Sequence, residues 1–244
     1  MPCRGRGRAG GPAGRPMVKV CGVKRRLDLE YLDGLVEYVG FIVAPEGVSP
    51  RALSPSEAWD LASTLSRSEP VMVAAGMGVG DAVSAAASTG FRVVQLHMPL
   101  EAGEAAAAVE AAAGLGLRAA PVLVSSRRGW LGASPGELAG LLEPGLVEYV
   151  LVDADKRDPP GGPGGLRVSL DAVSEAVAVL SPRGFRVGAA GGVRPGNSCL
   201  VARLGVSLVD VSSGVEEAPG VKSPLLVSSL LRELEGCTRG ARQG

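Results

Sequence analysis

The chain has 244 residues, enough to bury one large core but short for two enzyme-sized domains. Its 25 Lys and Arg balance 25 Asp and Glu, so no field over the whole molecule draws it to nucleic acid or to an anionic membrane. No apolar run reaches membrane-spanning length, and the expected class is a cytoplasmic protein that handles small polar metabolites.

The first sixteen residues (MPCRGRGRAGGPAGRP) carry Arg4, Arg6, Arg8 and Arg15, no acid and almost no apolar side chain. This composition predicts a disordered basic tail. It reads as a nucleic-acid or targeting arm, as a flexible extension, or as an upstream start with translation truly beginning at Met17. The last is preferred, because Met17 directly precedes the first strand-like run. A transit peptide fits poorly, since Gly and Pro would break its amphipathic helix.

From Met17 onward, short β-branched runs alternate with Ala/Leu/Glu-rich stretches of helical spacing. The predicted strands are Val18–Val20, Tyr38–Val43, Val71–Ala75, Val93–His97, Ala119–Val124, Tyr149–Asp153, Arg186–Ala190 and Leu208–Val211. Most are continuous apolar runs, as expected of parallel strands covered on both faces. Ser54-Pro55-Ser56-Glu57 and Ser134-Pro135-Gly136-Glu137 read as helix starts, with Ser at the cap and Pro at the first helical position. Eight such units fit a single α/β domain, a closed (β/α)8 TIM barrel over residues 17–236, better than an open doubly wound sheet. Residues 237–244 are left as a C-terminal tail.

The cysteines Cys3, Cys21, Cys199 and Cys237 lie far apart with no CxxC pair, so neither a zinc site nor a disulfide framework is implied. Cys199 and Cys237 read as passive. Asn197 is the only asparagine and Arg greatly outnumbers Lys. High genomic GC content is the simplest account of that bias, with thermophily secondary.

In such a barrel the chemistry sits at the C-terminal strand ends and the loops after them. Two glycine-rich segments, Ala189-Ala190-Gly191-Gly192-Val193 and Asp210-Val211-Ser212-Ser213-Gly214, follow the seventh and eighth strands. Either alone reads equally as a tight turn. As a pair at these two places they predict a phosphate site, with backbone N–H groups turned to an anion. Cys21 ends the first strand, as a catalytic thiol or an inert small hydrophobe. Asp153 ends the sixth, where desolvation would raise its pKa; a loop cap is the alternative, and Asp155 competes for any acid role. His97, the only histidine, is assigned to substrate contact or site architecture. Arg51 could grip a carboxylate through two parallel hydrogen bonds, or be a solvated loop arginine.

Taken in order, these residues resemble the phosphoribosylanthranilate isomerase family over roughly Met17 to Leu234. The carriers are Lys19-Val20-Cys21-Gly22-Val23, Gly40-Phe41 with Ser49-Pro50-Arg51, Val94-Gln95-Leu96-His97, Leu151-Val152-Asp153, Ala190-Gly191-Gly192-Val193 with Pro195 and Asn197, and Asp210-Val211-Ser212-Ser213-Gly214-Val215-Glu216 followed by Pro219-Gly220-Val221-Lys222. The resemblance implies an Amadori rearrangement in tryptophan biosynthesis, from N-(5-phosphoribosyl)anthranilate to 1-(2-carboxyphenylamino)-1-deoxyribulose 5-phosphate. Cys21 matches the family's general base and Asp153 its general acid. Arg51 would bind the anthranilate carboxylate, and the Gly191-Gly192 and Ser213-Gly214 backbone the phosphate; His97 and Asp210 join the substrate-binding set. No metal or organic cofactor is implied, the expected partner is a phosphorylated small molecule, and the expected state is a monomer or homodimer. The sequence departs from the family pattern at Met98, at Ala74-Ala75-Gly76-Met77, in the loop Lys156–Ser169 and at Ser223.

Three other readings compete. The histidine-pathway isomerase carries out the same rearrangement on another amine but typically has an aspartate where Cys21 stands. Indoleglycerol-phosphate synthase needs catalytic lysines, and the one candidate, Lys19, precedes Cys21 and is expected to point away from it. A non-catalytic phosphate-binding barrel would have lost Cys21 or Asp153, and both are present.

Overall fold

Each apolar run forms a parallel strand whose side chains alternate between two buried layers. The computed structural model describes residues 14–159 and 161–240. Its principal strands are β1 (Met17–Cys21), β2 (Tyr38–Val43), β3 (Glu69–Ala74), β4 (Val93–Leu96), β5 (Arg118–Ser126), β6 (Val150–Ala154), β7 (Val187–Ala189) and β8 (Leu208–Val211). They pair in parallel in chain order, and β8 pairs with β1, so the sheet closes into the expected eight-stranded barrel. Met17, Val71, Val73, Val93, Val122, Leu151 and Leu208 fill the interior. The intervening residues, among them Val18, Val20, Phe41, Met72, Val94 and Val152, pack outward against the helices. A strand period of two inside a closed sheet requires this division, and it is why the strands read as unbroken apolar runs.

The helices are α1 (Arg26–Leu32), α2 (Pro55–Ala62), α3 (Val79–Ala87), α4 (Ala102–Gly114), α5 (Pro135–Leu141), α6 (Leu170–Leu180), α7 (Ser198–Ala202) and α8 (Pro224–Gly240). Both predicted helix starts form capping boxes, Ser54 with Glu57 and Ser134 with Glu137, and Pro opens each helix. Beyond the predicted strands, β5 runs on to Ser126 and turns back to pair with an antiparallel strand, Gly129–Leu131. At the opposite end of the barrel Glu148 closes the floor. It accepts a hydrogen bond from Tyr38 at 2.5 Å and pairs with Arg118 at 3.0 Å and Arg186 at 2.9 Å. Among the described residues no helix is long and apolar enough to cross a membrane.

Two boundary expectations are corrected. Arg15, assigned to the tail, is buried and pairs at 3.1 Å with Glu37, whose other oxygen accepts the Val18 N–H at 2.7 Å. A guanidinium can enter the fold once a carboxylate meets it, which composition alone does not reveal. Residues 1–13 lie outside the described residues. At the other end, α8 continues past residue 236 to Gly240, and Cys237 is buried in it. Cys237 is disulfide-bonded to Cys199 of α7, with Cα atoms 5.6 Å apart, so neither cysteine is passive. Their separation of 38 residues hid the pairing, because the packing of α7 against α8 is what brings them together.

A cross-link over this span constrains the unfolded chain. Reduction should lower the unfolding free energy by about 2–4 kcal/mol, seen as an earlier denaturant midpoint in dithiothreitol. Cys237→Ser should share that lower midpoint and no longer respond to reductant. Equal midpoints for the oxidised and reduced protein would show that the bond stabilises nothing.

Candidate active site

The C-terminal mouth of the barrel encloses a cavity of about 460 Å³. Its wall includes Cys21, Arg51, His97, Asp153, Gly191, Gly192, Asp210, Ser213 and Gly214, so all nine candidate positions from six different strand ends meet in one place. The strand period explains the convergence. Cys21, Asp153 and Asp210 share the inward parity of Met17, Leu151 and Leu208 on their own strands.

Around Cys21 the chain gathers an interlocked set of charges. The thiol is buried, at 7% exposure. Lys222 Nζ donates to the Cys21 carbonyl at 2.5 Å and to Glu216 Oε1 at 2.6 Å. Glu216 in turn accepts Arg51 Nε at 2.8 Å and Arg51 Nη2 at 2.5 Å, which fixes the guanidinium in the cavity wall. Burial pushes the Glu216 carboxyl up, but Arg51 and Lys222 outweigh it and hold it down to about 2. Gly22, at φ +73°, leaves the room: a Cβ there would stand 2.5 Å from Arg51 Cδ.

The expectation that Lys19 points away from Cys21 is wrong. Two residues apart on one strand, both side chains face the barrel interior. Lys19 is wholly buried and its ammonium meets Asp210 Oδ2 at 2.8 Å. Burial works against its charge, yet attraction to Asp210 and then to the Cys21 sulfur outweighs it and raises the lysine above its ordinary value. The Cys21 thiol is raised above its ordinary value: burial drives it up and Asp210 adds to the rise, while Lys19 and Lys222 offset this only in part.

Across the cavity a neutral chain leads to Asp153. Tyr149 Oη donates to Gln95 Oε1 at 2.9 Å, which leaves the Gln95 amide nitrogen to donate to His97 Nδ1 at 3.2 Å. That arrangement puts the imidazole proton on Nε2, which lies 3.6 Å from Asp153 Oδ2. Burial, then Lys156 and Lys19, lower the His97 pKa to about 4, so the contact with Asp153 is not an ion pair at neutral pH. Asp153 itself is raised, with burial outweighing the Ala154 N–H and the cations Lys156, Lys19 and Arg167.

Gly191 and Gly192 carry φ of 97° and 83°. A Cβ at Gly191 would reach within 2.9 Å of Asp153 Oδ1, so this glycine permits a close approach as well as a left-handed turn. Asn197 holds the loop from behind, donating to Gly192 O at 3.0 Å and to Gly164 O at 3.1 Å. The second segment enters a 3-10 turn, Ser213–Val215. Asp210 uses Oδ2 for Lys19 and leaves Oδ1 buried without a partner. Sequence reading placed the nine cavity residues but gave no role to Lys19, Gln95, Tyr149, Glu216 or Lys222. The spacings of two between Lys19 and Cys21 and between Gln95 and His97 were the available signal.

Comparison with known proteins decides the lineage. The family model described as N-(5'phosphoribosyl)anthranilate (PRA) isomerase matches residues 18–233. The chain belongs to this family. An N-(5'-phosphoribosyl)anthranilate isomerase of Pyrobaculum islandicum is 44% identical over 218 residues, 89% of this chain and 97% of that one. The Aeropyrum pernix counterpart is 38% identical over 224 residues, 91% of this chain and 98% of that one. Among solved structures, the phosphoribosyl anthranilate isomerase of Thermus thermophilus is 25% identical with a TM-score of 0.66, covering 90% of this chain and 98% of that one. The chain is accordingly an isomerase of tryptophan biosynthesis, converting N-(5-phosphoribosyl)anthranilate into 1-(2-carboxyphenylamino)-1-deoxyribulose 5-phosphate.

The shared counter-ion has a measurable consequence. Glu216→Gln should cost about 3–5 kcal/mol of stability at pH 7, because Arg51 and Lys222 lose their common partner in a buried site. The wild-type carboxyl sits below its ordinary value of 4.5, at about 2. Its contribution is therefore complete above pH 4.5 and fades as pH falls toward 2. Denaturant titrations should show the wild-type advantage shrinking over that window; a constant gap at pH 7 and pH 2.5 would contradict the assignment.

Proposed function

We propose that Cys21 and Asp153 divide the two proton transfers of the rearrangement, with Asp153 as the acid and Cys21 as the base. Asp153 protonates the ribose ring oxygen, the C1–O bond breaks, and the anilino nitrogen lone pair closes the C1=N bond of a Schiff base. The iminium withdraws electrons from C2. Cys21 as thiolate takes the C2 proton, and the freed pair forms the C1–C2 double bond of an enolamine that tautomerises to the ketose. Because the Schiff base supplies the electron sink, a well-placed acid and base suffice.

One observation carries this reading: a raised carboxyl and a thiol beside buried ammonium groups share a single cavity. Arg51 suits the anthranilate carboxylate, since it lines the cavity and Glu216 occupies Nε and Nη2 but not Nη1. The unpartnered Asp210 Oδ1 suits a ribose hydroxyl. The backbone around Gly191-Gly192 and Ser213-Gly214 suits the phosphate, with Arg167 and Lys156 also in the cavity wall. On this reading the reaction runs in the cytosol and needs no metal or organic cofactor.

The test is to follow loss of anthranilate-derived fluorescence with substrate made in situ. Cys21→Ser and Asp153→Asn should each lower kcat by about 10²–10⁴-fold while inorganic phosphate still binds. A near-normal rate in either variant rejects that residue's role. The pH profile tests the roles further. With a thiolate base and a protonated acid, the wild-type rate rises up to the Asp153 pKa, stays level, and falls above the Cys21 pKa. Residual activity in Asp153→Asn should instead keep rising up to the thiol pKa and show no alkaline fall.

A further inference from the structure

We propose that Lys19 is a positioning residue for the reaction: its ammonium, anchored by Asp210 inside the barrel, is the counter-charge that stabilises the Cys21 sulfur whenever it ionises to the thiolate. The proposal rests on Cys21 being the base. It concerns a residue that the proton transfers do not use and that packing does not require. Lys19 occupies an inner-layer position where Met17, two residues earlier, fills the same layer with an apolar side chain. An unpaired ammonium at 0% exposure would be strongly disfavoured, and even a paired one is often no better than a well-packed apolar residue.

The surrounding geometry supplies a reason for the charge. An ammonium has three donors; the Asp210 carboxylate takes one at 2.8 Å. The sulfur lies on the same side. Gly40 stands opposite Cys21 in the β1–β2 register, and a Cβ on it would be 3.0 Å from Cys21 Sγ and 3.1 Å from Lys19 Cε. The thiol and the end of the lysine side chain therefore converge on one spot, and the missing side chain at residue 40 leaves them room. Other charged or titratable groups around this spot are Asp210 and Tyr149 within the barrel, Lys222 and Arg51 at its mouth, and His97 and Asp153 across the cavity. Lys222 turns its hydrogen bonds to Glu216 and the Cys21 carbonyl, and Arg51 turns its own to Glu216, whereas Lys19 spends one donor on Asp210 and brings the end of its side chain beside the sulfur. Tyr149 is driven well above the ordinary tyrosine range by burial and stays neutral. When the thiolate takes a proton from C2, the ammonium remains neutralised by Asp210, so the pair serves both states of the sulfur.

The test measures thiol ionisation apart from turnover: the iodoacetamide alkylation rate of Cys21 as a function of pH, followed by the mass of its peptide. Lys19→Met should move ionisation to higher pH and slow alkylation at pH 8 about tenfold or more. Its kcat should fall in parallel, with KM little changed. Asp210→Asn should move ionisation the opposite way, and Lys19→Arg should stay near wild type. Loosened packing cannot imitate this pattern, since burial is what raises the thiol and hydration would lower it. Unchanged or downward ionisation in Lys19→Met overturns the proposal. If that variant does not fold, Lys19→Met with Asp210→Asn removes both charges, and it should alkylate more slowly than Asp210→Asn alone; equal rates overturn the proposal. Should Lys19→Met shift the thiol while Cys21→Ser keeps full turnover, the Cys21 base reading fails instead.

Discussion

The strand period of two inside a closed barrel is the constraint on which the rest of the structure depends. Closure leaves every second strand residue nowhere to go but the barrel axis, so identity at those positions decides what fills the interior. Through most of the barrel the choice is Met17, Val71, Val93, Val122, Leu151 and Leu208. At the C-terminal end the same parity delivers Lys19, Cys21, Gln95, Asp153 and Asp210. The site is thus the polar top layer of the core and needs no separate scaffold, and its side chains inherit the rigidity of the strands that carry them.

Rigid strands explain how charge can be held there. Lys19 and Asp210 come from β1 and β8, whose register places the two residues side by side. Their ion pair adds few degrees of freedom beyond those the barrel has already fixed. The loop charges need other support. Arg51 lies eight residues beyond β2, and it is held by Glu216 from the loop after β8, which Lys222 fixes in turn. The floor of the barrel has a comparable network, Glu148 with Tyr38, Arg118 and Arg186. There the charges satisfy one another and seal the end, whereas at the mouth Asp210 Oδ1 is left open.

How far the sequence revealed this follows the same division. The barrel was legible because two-sided burial writes each strand as an apolar run, and capping boxes at Ser54 and Ser134 punctuate the helices. The nine cavity positions were legible because strand ends are where polar residues interrupt those runs. Lys19, expected to point away from Cys21, lies two residues before it on one strand, and that parity puts both on the inner face. Glu216, Lys222 and the Cys199–Cys237 bond were not legible from spacing, since each depends on contacts between elements distant in the chain. Arg15 was hidden by the composition of the residues before it, and only its meeting with Glu37 brings it into the fold.

The electrostatics of the mouth bear on why a thiol and a carboxyl can share this work. An ordinary thiol ionises well above a carboxylic acid, so the combination of thiolate and protonated acid is a minor fraction of the population at any pH. Burial of Asp153 narrows the difference from below by raising the acid. The cations around Cys21 act from above, opposing the rise that burial imposes on the thiol. The remaining gap has chemical value, because a thiolate of high pKa is a strong base and a carboxyl of modest pKa is a strong acid. The minor form is the more reactive one in both proton transfers. A dry barrel mouth with buried ammonium groups serves both requirements: burial keeps the base strong and raises the acid, and the fixed positive charge offsets part of the rise that burial imposes on the thiol.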